Sequence, residues 1–435
     1  MTDEARGREP RLDASPPRGM RDVLPEEVAL RDWAMAQILT VYRRHGFVRI
    51  ETPAVENLRL LLRSDGGENE KLIYRILKRG ERLAAAAGPE DLADLGLRFD
   101  LTVPLVRYYA HNHARLPQPL KAIQIGPVWR AERPQQGRYR QFTQCDIDIL
   151  GVASELAEIE LILATTEALA ALGLKDLTVR INDRRLLGGM VAHCGFDPER
   201  AGSVFIALDK LDKIGRAGVA AELREAGHAA DAVDRLLDLL ASSATPAALR
   251  GLLGARGDEG VWRGLQRILD TVETQAAGRF RLVFDATLVR GMGYYTGPIF
   301  EVQHGGGPSA IAGGGRYDRM VGKFIGRDVP ATGFSIGFER VISILLERGP
   351  ATDAEGERVV LVFDETAAAL GPVLTLARDL REQGKQVLLE ARAKRLGKQL
   401  QDLEARGYRK IGVLGVGGAV EWREPRAGGA GETTA

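Results

Sequence analysis

The stretch Gly126–Gly151, GPVWRAERPQQGRYRQFTQCDIDILG, decides the fold of this chain. Two alternating, extended runs, one ending in VWRAE and one beginning RQFTQ, flank a short polar segment at GRYR, the pattern of two strands joined by a turn. Into that hairpin the sequence packs Arg130, Arg133, Arg138 and Arg140 with spaced acids and aromatics. Arginine is always charged and presents a planar fork suited to phosphate, so Arg130 followed by Glu132 and Arg133 reads as a clamp for a nucleotide's phosphates and base. The competing reading is a charged hairpin on a sheet edge, because runs of charge are commonly solvated surface.

Working outward, Leu30, Trp33, Ile38, Leu39 and Tyr42 follow a helical period between Pro25 and His45, Gly46 stands where that helix stops, and FVRIETP then alternates as a strand. LRFDLTVPLVRYYA around Asp100 and KAIQIGPVWRAE around Ile125 read as further extended segments. Turns and loops connect these strands, which predicts an antiparallel sheet rather than a βαβ array. Residues 155–274 carry helical periods in ELAEIELILATTEALAAL, DPERAGSVFIALDKLDKI and DAVDRLLDLLASS, and are expected to form a helical insertion. Strand character returns in RLVFDATLVRGMGYYTGPIFEVQ; AIAGGGRYD reads as a glycine-dense turn, and TGFSIGFERVISILLE as a strand passing into an amphipathic helix. Beyond a linker at 349–357, VVLVFD, QVLLEA and KIGVLGV alternate with two helical runs, predicting a small α/β domain over 358–424. The fold class expected is therefore α+β: a main sheet domain over 17–154 and 275–348, the insertion, and the small domain, with a disordered leader at 1–16 and tail at 425–435.

Bulk composition narrows the function classes. At 435 residues the chain has room for about three domains. With 60 basic against 59 acidic residues there is no global basic field, so any nucleic-acid contact must come from a local patch. Cys145 and Cys194 are the only cysteines and form no CxxC, which argues against disulfide scaffolding and structural zinc; His111 and His113 alone make no metal motif, and no fixed metal site is expected. No apolar run is long enough to span a bilayer and MTDEARGREPRLDASPP lacks a signal-peptide core, so a cytoplasmic protein with no membrane partner is expected.

Three arginines stand in three sheet-like contexts: Arg130 after GPVW, Arg290 in LVRGMGYYTG and Arg340 in SIGFERV. Stabilising negative charge that develops on phosphate needs fixed donors on a rigid scaffold, and arginines converging on one sheet face would supply them. No GxxxxGK[ST] loop occurs, which removes the P-loop solution.

These segments together resemble the class II aminoacyl-tRNA synthetases, specifically the histidyl-tRNA synthetase family, from about Pro17 to Trp422. RGMRDVLPEE and the helix and strand ending at Pro53 are similar to the family's opening segment and motif 1. GPVWRAERPQQGRYRQFTQCDID resembles motif 2, LVRGMGYYTG and AGGGRYD the two histidine-specific signatures, and TGFSIGFERV motif 3. The resemblance implies a ligase that joins histidine to ATP as histidyl-adenylate and then transfers it to the 3′ end of histidine tRNA, with Mg2+ accompanying ATP and a homodimer as the assembly. It implies catalytic roles for Arg130 and Arg290, and an ATP site of Arg130, Glu132, Phe142 and Arg340, with Phe142 stacked on adenine. For histidine it implies Asp100, Leu101, Thr102 and Gln144 at the α-amino end, Asp148 and Tyr295 at the imidazole, Tyr294 and Tyr317 lining the pocket, and Arg130 and Arg290 at the carboxylate. Gln135, Gln136 and Arg138 are the implied contacts to the acceptor end of the tRNA.

Two departures are visible. Gly293 stands where the family's LVRGLDYY pattern has an acid, and the anticodon-binding-like domain stops soon after VEWRE. Two other readings therefore stay open at the level of sequence: a non-catalytic ATP phosphoribosyltransferase regulatory subunit, and a synthetase paralogue activating histidine outside translation.

Overall fold

The strands of the first unit are β1 (Val48–Arg49), β2 (Val55–Asn57), β3 (Arg75–Leu77), β4 (Ala93–Leu97), β5 (Leu120–Trp129), β6 (Gln141–Leu150), β7 (Leu177–Asp183), β8 (Arg281–Phe284), β9 (Pro298–His304), β10 (Ala310–Arg316) and β11 (Ala331–Ile336). The computed structural model describes residues 13–423 apart from 64–68, 134–138, 244, 255–257, 291–292, 308–309, 349–356, 366 and 416–418. It divides into two units, Met1–Arg348 and Gly349–Ala435.

Eight strands make the main sheet in the order β1-β5-β6-β11-β10-β9-β7-β8. Every pairing from β5 through β7 is antiparallel, and only the outermost pairs, β1 with β5 and β7 with β8, are parallel. The hairpin read from Gly126–Gly151 is its centre: β5 and β6 pair along their full length, from Leu120 opposite Leu150 to Trp129 opposite Gln141.

Side chains alternate across a strand, and β6 uses both faces. Cys145, Ile147 and Ile149 enter the large core, where the helices Pro25–Arg44, Leu156–Ala171 and Phe338–Glu347 pack. Gln144, Asp146 and Asp148 point to the other face, into a cavity. Burying an aliphatic side chain contributes roughly 1.5–3 kcal/mol. A buried carboxyl left unpaired costs about 1–3 kcal/mol while protonated and more when charged, so the apolar face of the strand offsets the acids best in their neutral form.

Three expectations are corrected. LRFDLTVPLVRYYA is not extended throughout: after β4 the chain turns at Asp100 and runs as a helix over Thr102–Asn112. Pro104 is tolerated because it lies in the first turn, where its missing N–H leaves no bond unmade, and Asp100 Oδ1 accepts the Val103 amide at 3.1 Å. The glycines of AIAGGGRYD are not in a turn: Ala310–Arg316 is the sheet's internal strand β10, paired with β9 and β11. The 155–274 segment is not purely helical either. Leu177–Asp183 forms β7 inside the main sheet, and Leu156–Ala171 packs on the Pro25–Arg44 helix. The helical periods on either side of this short strand dominate the segment, and its partner β9 lies more than a hundred residues away.

In the second unit β12 (Arg358–Phe363), β13 (Gln386–Ala391), β14 (Lys410–Leu414) and β15 (Val420–Arg423) order as β13-β12-β14-β15, parallel except for the last pair. The uninterrupted apolar run of β12 follows from burial on both faces. Val359, Leu361 and Phe363 meet Val373, Ala377 and Leu380, while Val360 and Val362 meet Leu400 and Leu403. Residues 1–12 and 424–435, which include most of the leader and the whole of the tail expected to be disordered, lie outside the described residues.

Candidate active site

A cavity of about 350 Å³ lies over the β6 face that carries Gln144, Asp146 and Asp148. β10 and β11 complete its floor. Their glycines are there for close approach: a Cβ on Gly313 would run into the Arg290 guanidinium, and one on Gly333 into Asp148 Oδ1. Gly313 and Gly315 thus let Arg290 and Tyr295 lie close against the strand, while Gly314 gives room to the backbone of β11. Asp100 and Thr102 come from the start of the Thr102–Asn112 helix, Arg130 and Glu132 follow β5, and Arg290, Tyr294 and Tyr295 lie between β8 and β9. Tyr317 follows β10, and Arg340 sits in the first turn after β11.

One end of the cavity is acidic. Tyr317 Oη donates to Asp148 Oδ1 at 2.5 Å. Burial pushes Asp148 up to about 7, the Tyr317 bond pulling the other way, and pushes Asp100 up to about 6. Asp146 is raised well above the usual carboxylate range by burial first and the charge of Asp148 second. Tyr294 packs against Tyr295 and Tyr317 with ring centroids 4.9 and 5.9 Å apart. Burial raises the phenols of Tyr295 and Tyr317, so both stay protonated donors.

The other end is cationic, and its arginines are held by backbone and acid acceptors of the scaffold. Arg130 Nε donates to the Phe99 carbonyl at 3.0 Å, and its guanidinium lies 5.1 Å from the Phe142 ring centroid. Arg290 Nη1 is 3.5 Å from Glu301 Oε2 on β9, and Arg340 donates to the Ala310 carbonyl on β10. Donors fixed in this way need no rearrangement when charge develops on a bound phosphate.

The structure brings Asp100, Thr102, Arg130, Glu132, Phe142, Gln144, Asp148, Arg290, Tyr294, Tyr295, Tyr317 and Arg340 to this one cavity. Leu101 is not among its walls: the side chain is 1% exposed in the interior and its carbonyl accepts Gln124 Nε2 at 3.0 Å. Leu101 faces away because the turn between β4 and the helix sends consecutive side chains to opposite sides. Gln135, Gln136 and Arg138 lie outside the described residues. Sequence reading missed Asp146, Tyr139, Thr143 and Glu339, all of which line the cavity. Period-two alternation from Gln144 and Asp148 was the available signal for Asp146. Glu339 had none: it is gripped by Arg31 at 2.7 and 2.8 Å from 308 residues away and accepts the Thr143 amide at 3.0 Å. Arg21 adds a guanidinium 4.8 Å from the Tyr139 ring, so the N-terminal helix region braces the cationic end.

The family model described as histidyl-tRNA synthetase matches residues 19–341, a span that takes in every residue of this cavity. The chain belongs to the histidyl-tRNA synthetase family. A histidine–tRNA ligase of Leifsonia xyli subsp. xyli is 48% identical to it over 92% of this chain and 95% of that protein. A crystal structure of histidyl-tRNA synthetase from Nostoc sp. PCC 7120 superposes with a TM-score of 0.76 at 28% identity, covering 95% of this chain and 97% of that one. An ATP phosphoribosyltransferase regulatory subunit/histidyl-tRNA synthetase from Bacillus halodurans C is similar in fold alone, with a TM-score of 0.74 at 23% identity over 92% and 98% of the two chains. The fold is that of the class II synthetases, as the antiparallel sheet around β5 and β6 requires.

Proposed function

We propose that this chain is a histidine–tRNA ligase. Histidine and ATP, the latter entering as its magnesium complex, react to give histidyl-adenylate and pyrophosphate; the histidyl group then passes to the terminal ribose of histidine tRNA. The observation that carries this reading is one cavity whose wall holds buried carboxyls, tyrosine hydroxyls and three anchored arginines together. A zwitterionic amino acid finds partners for both of its charges there, its ammonium on the acids and its carboxylate on the arginines and therefore next to the ATP α-phosphate.

Each side chain then has a role. Asp100, Thr102 and Gln144 face the α-ammonium, while Asp148, held by Tyr317, accepts from the imidazole N–H and the Tyr295 hydroxyl donates to the other ring nitrogen. An amino acid without those ring nitrogens leaves buried polar groups unpaired, which is a strong basis for rejection. As the carboxylate oxygen attacks the α-phosphorus, charge builds on the non-bridging oxygens and Arg130 and Arg290 neutralise it. Arg340 holds the far phosphates, Glu132 accepts from the adenine amino group, and Phe142 stacks on the base. The chemistry is positioning and electrostatics, with no side chain required to carry a proton.

The wider assembly follows the same reading: a homodimer working in the cytoplasm, with the second unit binding the anticodon. Among the described residues no helix is long and apolar enough to cross a membrane. Convergence of all three arginines on one cavity weighs against a non-catalytic regulatory subunit. The test is charging of histidine tRNA with labelled histidine beside Arg290→Ala. The variant is expected to lose about 100- to 1000-fold in kcat, as for a single lost oxyanion donor, with its melting temperature unchanged. No charging by the wild-type protein would overturn the reading.

A further inference from the structure

Three acceptor atoms that line this cavity are buried and have no hydrogen-bond partner: Asp100 Oδ2, Gln144 Oε1 and Asp146 Oδ1. Each acid keeps one bond of its own, Asp100 Oδ1 from the Val103 amide and Asp146 from the Ser335 side chain, while Asp148, bonded by the Tyr317 hydroxyl, has no atom among the orphans. Leaving a buried acceptor unpaired is costly, and native proteins keep few such groups. Asp100 and Asp146 are 2% and 4% exposed, so bulk water does not serve them.

The three belong to one neighbourhood. Asp146 shares the β6 face with Gln144, two residues along the strand, and lies close enough to Asp100 and Arg130 for their charges to be felt. A protonated primary amine carries three N–H donors on one nitrogen, whereas an imidazole offers two at most on opposite sides of a ring. Three orphaned acceptors that line one cavity from β6 and the Asp100 turn match the three donors of an ammonium in number, and a bound cation favours the ionised form of the two acids. We propose that Asp146 is a third receptor for the substrate's α-ammonium group, acting beside Asp100 and Gln144 and fixing the end of the amino acid opposite the imidazole. This rests on the ligase reading above.

Its consequence is a division of labour along β6. Asp148 sorts side chains by their ring nitrogens, while Asp146 sorts ligands by a cationic amine on the α-carbon. Two probes separate these duties: L-histidinol keeps the amine and imidazole, and 3-(imidazol-4-yl)propionate keeps the imidazole and lacks the amine. Inhibition constants for both are measured against histidine in charging assays on the full-length protein, wild type beside Asp146→Asn. Removal of the carboxylate that pairs with the bound ammonium is expected to weaken histidinol and raise the histidine KM by about 10- to 100-fold, the scale of a hydrogen bond to a charged group. The propionate and the ATP KM are expected to move less than about twofold, since neither meets Asp146 and each such change is a small fraction of the tenfold step.

A merely structural role would weaken both probes alike, and that result, or no change in either, overturns the inference. If Asp146→Asn does not fold, Asp146→Ala, which leaves no polar group to bury, is put through the same comparison and the same ratio decides. Wild-type protein that fails to charge tRNA at all would sink the ligase reading itself, an outcome distinct from a variant that charges but treats the two probes equally.

Discussion

At the scale of single residues, the cavity stores unfavourable electrostatics in the ligand-free state and relieves them with substrate. Asp148 shows the sign of the effect. Its carboxyl ordinarily titrates at 3.8 and is pushed up to about 7 by burial. Between roughly pH 4 and 7 the folded chain therefore holds a proton that the unfolded chain has released, so the stability linked to this group falls as pH rises through that window and levels off above it. Asp148→Asn is neutral at every pH and can still accept from Tyr317. Its melting temperature relative to wild type is expected to climb from pH 5 to pH 7 and then stay flat; a constant difference, followed by thermal melts across that range, would show that Asp148 is already ionised in the folded protein. Glu27 and Glu339 lie outside the window, because their arginine partners lower them below the usual value of 4.5. Asp100, pushed up to about 6 by burial, is present in both proteins and drops out of the difference to first order.

At the scale of elements, β10 separates catalytic from structural glycine. A Cβ at Gly313 meets the end of the Arg290 side chain, which can swing aside, whereas a Cβ at Gly314 meets the Gly333 carbonyl oxygen and Phe334 Cα, which cannot. Gly313→Ala is accordingly expected to fold with nearly wild-type stability and to lose about 100-fold or more in histidine-dependent pyrophosphate exchange, as expected for a displaced charge at the α-phosphate. Gly314→Ala forces apart the β10–β11 pairing in the middle of the sheet and is expected to cost about 1–3 kcal/mol, the usual penalty of overpacking. Urea titrations read together with exchange rates check both. Inverted results would mean that β10 serves only as packing. The glycine run looks like a turn when read along the chain because its justification is lateral, in the side chains that neighbouring elements lay across it.

At the scale of the whole molecule, every residue of the cavity lies between Asp100 and Arg340, inside the first unit. Chemistry on histidine and ATP needs only that unit, while a tRNA is long enough to use both. A chain ending at Arg348 is expected to retain pyrophosphate exchange within about tenfold of full length and to lose tRNA charging by a larger factor, comparable to the loss of several phosphate contacts at physiological salt. Equal losses in the two assays would remove any role for the second unit in tRNA binding.

The sequence by itself determined the β5–β6 hairpin, the strand-to-helix passage at Phe338 and the α/β alternation beyond Arg358, because each of these is written in neighbouring residues whose period is local. It also singled out Arg130, Arg290 and Arg340 by residue type and motif, and the structure brings all three to one cavity. Only the tertiary structure decided that Thr102–Asn112 is a helix, that Leu177–Asp183 joins the main sheet and that AIAGGGR is a strand, since those outcomes depend on partners far along the chain. The same holds for the acid end of the site. Alternation puts Asp146 on the face of Asp148, but its neighbourhood with Asp100, and its acceptor left without a partner, arise only when the Asp100 turn, β6 and β11 close around one cavity.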